Sequence, residues 1–206
     1  MAVRKKRAGY HHGDLRRAVV DAGLDTIAKS GIESLSLRDL ARRLGVSHQA
    51  PYRHFADKQA LLAEIARDGF ARLVERLRAG PRLETDITTA LIESGVNYVA
   101  FAVENPAYYR VMFATTGTPP HGHAAPTQPG TAYEILTFGV ARGQEAGQLP
   151  RGVPARDLAL LCWTVVHGLA MLAIDGQLGL PAAAMATARD AITLQVRTFA
   201  VASRAR

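Results

Sequence analysis

"SLRDLARRLGVSHQAPYRHFADKQALL", residues 36–62, decides the fold. Leu37, Leu40, Ala41 and Leu44 recur at helical spacing and form one apolar face. Ser36 stands where a helix N-cap belongs, with Asp39 three residues on, a capping-box spacing. Gly45 permits the tight turn that ends this helix. A second short helix runs from Ser47 to Phe55, and Asp57 caps a third. Two short helices about a glycine turn form a helix-turn-helix, whose second helix enters the DNA major groove.

Pro51 lies inside that second helix, where proline normally breaks helical bonding. With Ser47 as N-cap, only the first helical bond is lost. Ala50 is the awkward residue, because residues before proline avoid the α region. The expectation is a loose or 3₁₀-like first turn, with Pro51 packed inward.

The charge agrees with a nucleic-acid partner. Residues 1–80 carry 16 Lys and Arg against 9 Asp and Glu, a net +7, which is the whole formal charge of the chain. The rest is neutral. A basic end meets a polyanion, and the neutral remainder does something else. The basic arm at residues 4–7 reaches a minor groove or raises non-specific affinity.

Apolar residues make up 48 % of the 206, enough for a substantial core. Helical periods dominate, so the fold class is all-α. The first helix has Gly13 or Asp14 as its cap, Leu15, Val19, Ala22 and Ile27 as its face, and Gly31 as its stop. In the third helix Leu62, Ile65, Ala66, Phe70, Leu73 and Leu77 recur before Gly80-Pro81. Further helices are expected at 84–104, 106–113, 131–145, 155–175 and 181–202. Residues 115–130, rich in Pro, Gly and Thr, read as a flexible loop. This divides the chain into an arm (1–12), a DNA-binding domain (13–80) and a second domain (81–206).

The lone Cys162 fits a reducing cytosol. "LALLCWTVVHGLAMLAI", residues 158–174, is barely long enough to span a membrane and carries His167 and Gly168. A helix buried on nearly all sides is the better reading, with no membrane partner. His121 and His123 have no Cys, Asp or Glu nearby, so no metal and no cofactor are expected. Catalytic motifs are absent, and the chain does not read as an enzyme.

The stretch from Leu15 to Leu77 resembles the DNA-binding domain of TetR-type transcriptional regulators. Its Gly-Val-Ser turn, "YRHF" and the following Asp-Lys with two leucines carry the resemblance, with "YHHGDLR" just upstream. "FAVENPAYYRVMF" and a late helix bearing Trp163, His167 and Gly168 look like one class of TetR ligand-binding domain. The resemblance implies a cytoplasmic homodimer joined by its last two long helices. It also implies repression at a palindromic double-stranded operator and release by a small apolar or amphipathic inducer. Pro51 departs from the family, which usually places Leu, Ile or Phe there.

The DNA-contact candidates are Ser36, Ser47, His48, Gln49, Ala50, Tyr52, Arg53, His54 and Lys58. Gln49 pairs bidentately with adenine, and Ala50 is small enough to meet a thymine methyl. His48 suits a guanine acceptor or a phosphate. Tyr52, Lys58 and Ser36 suit the phosphate backbone, and Arg53 suits a phosphate or a guanine. Phe55 reads as packing, and His54 is open between packing and phosphate contact. The resemblance implies backbone clamping at Tyr52, His54 and Lys58.

Candidates for an apolar pocket are Phe101, Tyr108, Tyr109, Met112, Phe113, Trp163, His167 and Met171, each of which competes with a plain core role. Two other classes remain as rivals: a non-specific architectural DNA-binding protein, and a helical enzyme or lipid carrier with an incidental basic end.

Overall fold

In the computed structural model the described residues are 12–80, 86–114 and 130–204. They form eight α-helices: α1 (His12–Ser30), α2 (Leu37–Leu44), α3 (Lys58–Arg78), α4 (Ile87–Glu104), α5 (Pro106–Ala114), α6 (Ala132–Glu145), α7 (Ala155–Ile174) and α8 (Pro181–Arg204). Two 3₁₀ turns lie at Ile32–Ser34 and Pro51–Arg53, and no strand occurs among the described residues.

Local chemistry sets most boundaries. The Ser36 side chain accepts the Asp39 N–H at 3.4 Å, and Gly45 closes α2 in the left-handed region at φ 68°. Asp57 caps α3 by accepting the Ala60 N–H at 2.8 Å. Asp86 accepts the hydroxyls of Thr88 and Thr89, each at 2.5 Å, and these bonds, helped by their N–H groups, hold its carboxyl down at about 2. Thr131 and Glu134 form a complete capping box on α6.

Three expectations need correction. Gly13 and Asp14 are not caps, because α1 already includes them and begins at His12. Helix α4 begins at Ile87 rather than 84, where the Asp86 cap starts it. Helix α7 is not buried on nearly all sides. Leu158, Ala159, Cys162, Val166 and Ala170 face inward, while Leu161 and Leu172 are 51 % and 45 % exposed. The helix is long and apolar enough to cross a membrane by length and composition, but its inner stripe is an ordinary core face. The loop expected at 115–130 falls almost wholly outside the described residues.

Helices α1, α2 and α3 enclose Val19, Ile27, Leu40, Leu61 and Ile65. Helix α4 packs against both α7 and α8, and α6 lies on α7. The two halves share one continuous core, because α5 packs on α3 and also touches α1 and α4. Arg76 of α3 reinforces that join through Glu104 of α4, with N–O distances of 2.5 and 3.1 Å.

Candidate nucleic-acid interface and inner cavity

After Gly45 the chain makes no second α-helix. Residues 48–50 are turn, followed by the 3₁₀ turn Pro51–Arg53. The Ser47 carbonyl, which a residue with an N–H at position 51 would serve, accepts the Ala50 N–H at 3.0 Å instead. The proline therefore orphans no acceptor there. The N–H groups of both His54 and Phe55 then bond the Pro51 carbonyl, at 2.9 and 3.0 Å. Ala50 does adopt the α region, at φ −63° and ψ −46°, against the usual preference before proline. Burial of Pro51 and Phe55 on the core holds it there.

Those two anchors turn the rest of the stretch outward. Ser47, His48, Gln49, Tyr52 and Arg53 are exposed, and Ala50 is half-buried. Tyr52 is 45 % exposed, unusual for an aromatic that could have packed. Five polar or aromatic groups thus project from a single rigid turn. The guanidinium of Arg16 lies 5.5 Å over the Phe55 ring, fixing the turn to α1.

The neighbouring cations divide into tied and available groups. Arg43 pairs with Asp25 and so pins α2 to α1, and Arg42 pairs with Asp39 at 2.8 Å. Lys58, at the start of α3, donates to the Glu33 carbonyl at 3.2 Å, which uses one of its three donors. His54 is half-buried, and its Nε2 is buried with no hydrogen-bond partner among the described residues. That edge faces the protein, so a phosphate contact has to come through Nδ1. The arm at residues 4–7 lies outside the described residues, as do His121 and His123. Among the described residues, no three His, Cys, Asp or Glu side chains group to hold a metal.

In the other half, an inner cavity of about 40 Å³ lies between α3, α4, α6, α7 and α8. Its wall includes Leu77, Tyr98, Leu136, Cys162, Val166 and Gln195. None of the eight pocket candidates lines it. Three of them, Tyr109, Trp163 and His167, instead surround Tyr98, which sequence reasoning missed. The Tyr98 oxygen accepts the Trp163 Nε1–H at 3.2 Å and the Tyr109 O–H at 3.0 Å. His167 Nδ1 lies 2.7 Å from the Tyr109 oxygen and 3.3 Å from that of Tyr98. Phe113 stacks edge-on against His167 at 4.5 Å and against Phe70 of α3 at 5.6 Å. Burial pushes the Tyr98 and Tyr109 hydroxyls upward, so both stay protonated at neutral pH. Tyr98 stands three residues before Phe101 on the same helix face, the signal that could have found it.

The other candidates lie elsewhere. Tyr108 turns to α3 and donates to Asp68 at 2.6 Å, with the Arg72 guanidinium 5.1 Å over its ring. Burial, and then the bond to Asp68, push the Tyr108 hydroxyl up to about 12. Burial opposes ionisation of Asp68, but its bonds from Tyr108 and Arg72 win and hold the carboxyl below its ordinary value. Met112 is buried against Gly69, Phe101 is in the core, and Met171 is half-buried.

Comparison with known proteins agrees with this architecture. Residues 19–65 match the family described as bacterial regulatory proteins, tetR family. Residues 91–199 match the tetracyclin repressor-like C-terminal domain. The chain is 31 % identical over 97 residues to YobS, an uncharacterized HTH-type transcriptional regulator of Bacillus subtilis; the match covers 47 % of this chain and 50 % of YobS. It is 33 % identical over 129 residues to the class G tetracycline repressor of Vibrio anguillarum, covering 61 % and 55 %. The chain thus spans about half the length of the curated relatives it matches. A solved structure of a protein of unknown function from Rhodococcus sp. RHA1 is similar over 94 % of this chain and all of that one, with a TM-score of 0.74 and 32 % identity.

Proposed function

The chain belongs to the TetR family of bacterial regulatory proteins, and from that premise we propose that it is a cytoplasmic homodimeric repressor. It binds a palindromic operator and is released when a small, mostly apolar molecule occupies its second domain. The division into an arm (1–12), a DNA-binding domain (13–80) and an effector and dimerisation domain (81–206) belongs to the same reading.

One observation carries it. Helix α3 begins beside the DNA-reading turn, at the Asp57 cap, and near its far end contributes Leu77 to the cavity wall. A helix of 21 residues is about 31 Å long. An occupant larger than one or two waters has to spread the wall. Moving Leu77 tilts α3 and displaces the turn at its other end. The occupant releases DNA only if it prefers the displaced state.

The exposed apolar faces of α7 and α8 support the dimer. Leu194 and Val201 on α8 are 70 % and 68 % exposed, and they line an open groove of about 520 Å³ with Asp190 and Arg197. Gly168 lies on α7 between Leu161 and Leu172, and a Cβ there would meet no atom of the described residues within 4 Å. The monomer's packing does not require that glycine, whereas close approach of a partner helix does. Two helices from each subunit then form a four-helix contact, which sets two reading turns about 34–36 Å apart.

Selection of bound DNA from a random pool, followed by footprinting, tests the reading. The expected result is one palindrome with half-sites a helical turn apart. Swapping Gln49 should change base preference at fixed positions. Arg53→Ala combined with Tyr52→Phe should flatten the salt dependence by about 0.9 in log–log slope per lost phosphate contact. Recovery of unrelated sequences at similar affinity favours the architectural reading instead, and failure to bind any DNA at low salt favours the enzyme or carrier.

A further inference from the structure

Tyr98 is the group shared by the cavity wall and the hydrogen-bonded cluster on α5 and α7. Its oxygen already accepts two hydrogens, from Trp163 and from Tyr109. The Tyr109 oxygen is also 2.7 Å from His167 Nδ1. With the Tyr109 proton given to Tyr98, that short contact needs a proton from the imidazole. Nδ1 then has no lone pair for Tyr98, which lies farther off at 3.3 Å. The Tyr98 O–H is left to donate into the cavity it lines.

The remaining wall fixes the rest of the chemistry. Among the described residues, no Asp, Glu, Lys, Arg or His lines the cavity. Burial pushes the Cys162 thiol up to about 11, so it supplies no anion at neutral pH. A charged occupant would lose its hydration with no opposite charge to meet it. Leu77, Leu136, Val166 and Ile192 complete an apolar surround.

We propose that the cavity takes an uncharged, mostly apolar molecule carrying one hydrogen-bond acceptor oxygen, that this oxygen is received by the Tyr98 hydroxyl, and that pulling Tyr98 away from Tyr109 relays occupancy to the DNA-binding half. The relay clause rests on the proposed function; the binding clause does not. Tyr109 is followed on α5 by Met112 and Phe113, and preceded by Tyr108. These three contact Gly69, Phe70 and Asp68 of α3. A shift of Tyr109 therefore moves the surface on which α3 rests.

Trp163, the single tryptophan of the chain, bonds Tyr98 directly, so its fluorescence reports the site. Three probes of matched shape separate the chemistry: cyclohexanone, methylcyclohexane and cyclohexanecarboxylate. Cyclohexanone should change Trp163 emission saturably and bind at least tenfold more tightly than the other two. Tyr98→Phe, which keeps the ring, should reduce cyclohexanone to the level of methylcyclohexane. Equal binding of methylcyclohexane, preference for the carboxylate, no saturable response, or an unchanged Tyr98→Phe variant overturns the assignment. If Tyr98→Phe does not fold, Gly95→Ala replaces it. Its methyl would press on Ile192 at 3.1 Å and Val166 at 3.2 Å, and cyclohexanone binding undiminished by it also overturns the proposal. Saturating cyclohexanone should weaken operator binding at least fivefold, and binding without release overturns the relay. A protein that titrates with cyclohexanone yet selects no DNA sequence defeats the regulator reading alone.

Discussion

Tyr108 and Tyr109, adjacent on α5, bond to opposite halves of the molecule: Tyr108 donates to Asp68 of α3 at 2.6 Å, and the Tyr109 oxygen lies 2.7 Å from His167 Nδ1 of α7. Successive helical residues differ by about 100° in direction, so one turn of α5 addresses two neighbours at once. Displacement of either partner is felt by the other through a short, buried helix.

Tyr108→Phe deletes the bond to Asp68 while keeping the ring. We expect a loss of about 1 kcal/mol in urea unfolding near pH 7. The pH dependence has two edges. The Asp68 carboxyl is lowered in the folded state, so its contribution is present above about 3.8 and is lost as pH falls through the lowered value. The Tyr108 hydroxyl is raised to about 12, so its contribution is present below about 10 and is lost as pH rises through about 12. Wild type and variant should converge at both extremes and differ by a constant amount between pH 5 and 9.

Gly69→Ala tests the contact from the α3 side. A Cβ there would lie 2.7 Å from Met112 Sδ and 3.2 Å from Tyr108 Cδ1. Alanine improves helix propensity by about 1 kcal/mol, but Met112 is 2 % exposed and has little room to swing away. Overpacking of about 1–3 kcal/mol wins. The melting temperature should fall, and operator affinity should change although no DNA contact is altered.

Asp86→Ala removes the cap of α4. It should cost about 1 kcal/mol at neutral pH. Because the folded carboxyl is held at about 2 against an ordinary 3.8, the difference from wild type should persist above pH 4 and shrink toward pH 2. Thermal unfolding across that range reads it directly.

Leu194→Glu places a charge at the centre of the proposed subunit contact, on a side chain 70 % exposed in the single chain. The monomer should fold unchanged by circular dichroism. Sedimentation velocity should show a shift from dimer to monomer, and operator affinity should drop with it. A variant that remains fully dimeric removes this face of α8 from the interface.

Pro51→Leu restores an N–H to the reading turn. If proline holds the turn in one presentation, the variant should relax base preference opposite Gln49 while the salt slope stays the same. Unchanged preference and affinity would reduce Pro51 to core filling.

The DNA-reading half was largely legible because its signals are local. Ser36, Gly45, Asp57 and Pro51 each act within one turn of chain, and the 3₁₀ conformation followed from proline's missing N–H. The αR state of Ala50 ran against local preference because burial of Pro51 and Phe55 outvoted it, and α1 starts at His12, ahead of both of its cap candidates. The pocket was less legible. Aromatic residues at helical spacing pointed to α4, α5 and α7 but to none of the residues that line the cavity, and they did not distinguish Tyr108, which grips α3, from Tyr109, which meets His167.

The sequence by itself determined an all-helical chain whose basic first 80 residues carry a capped helix, a glycine turn and a proline-containing 3₁₀ turn, since capping, periodicity and charge are properties of neighbouring residues. Only the tertiary structure decided that Tyr98 joins a tyrosine 11 residues away and a histidine 69 residues away, or that Leu77 of α3 reaches the cavity wall. Such contacts depend on how whole helices cross, and helix packing is set by the summed fit of many side chains rather than by any one spacing.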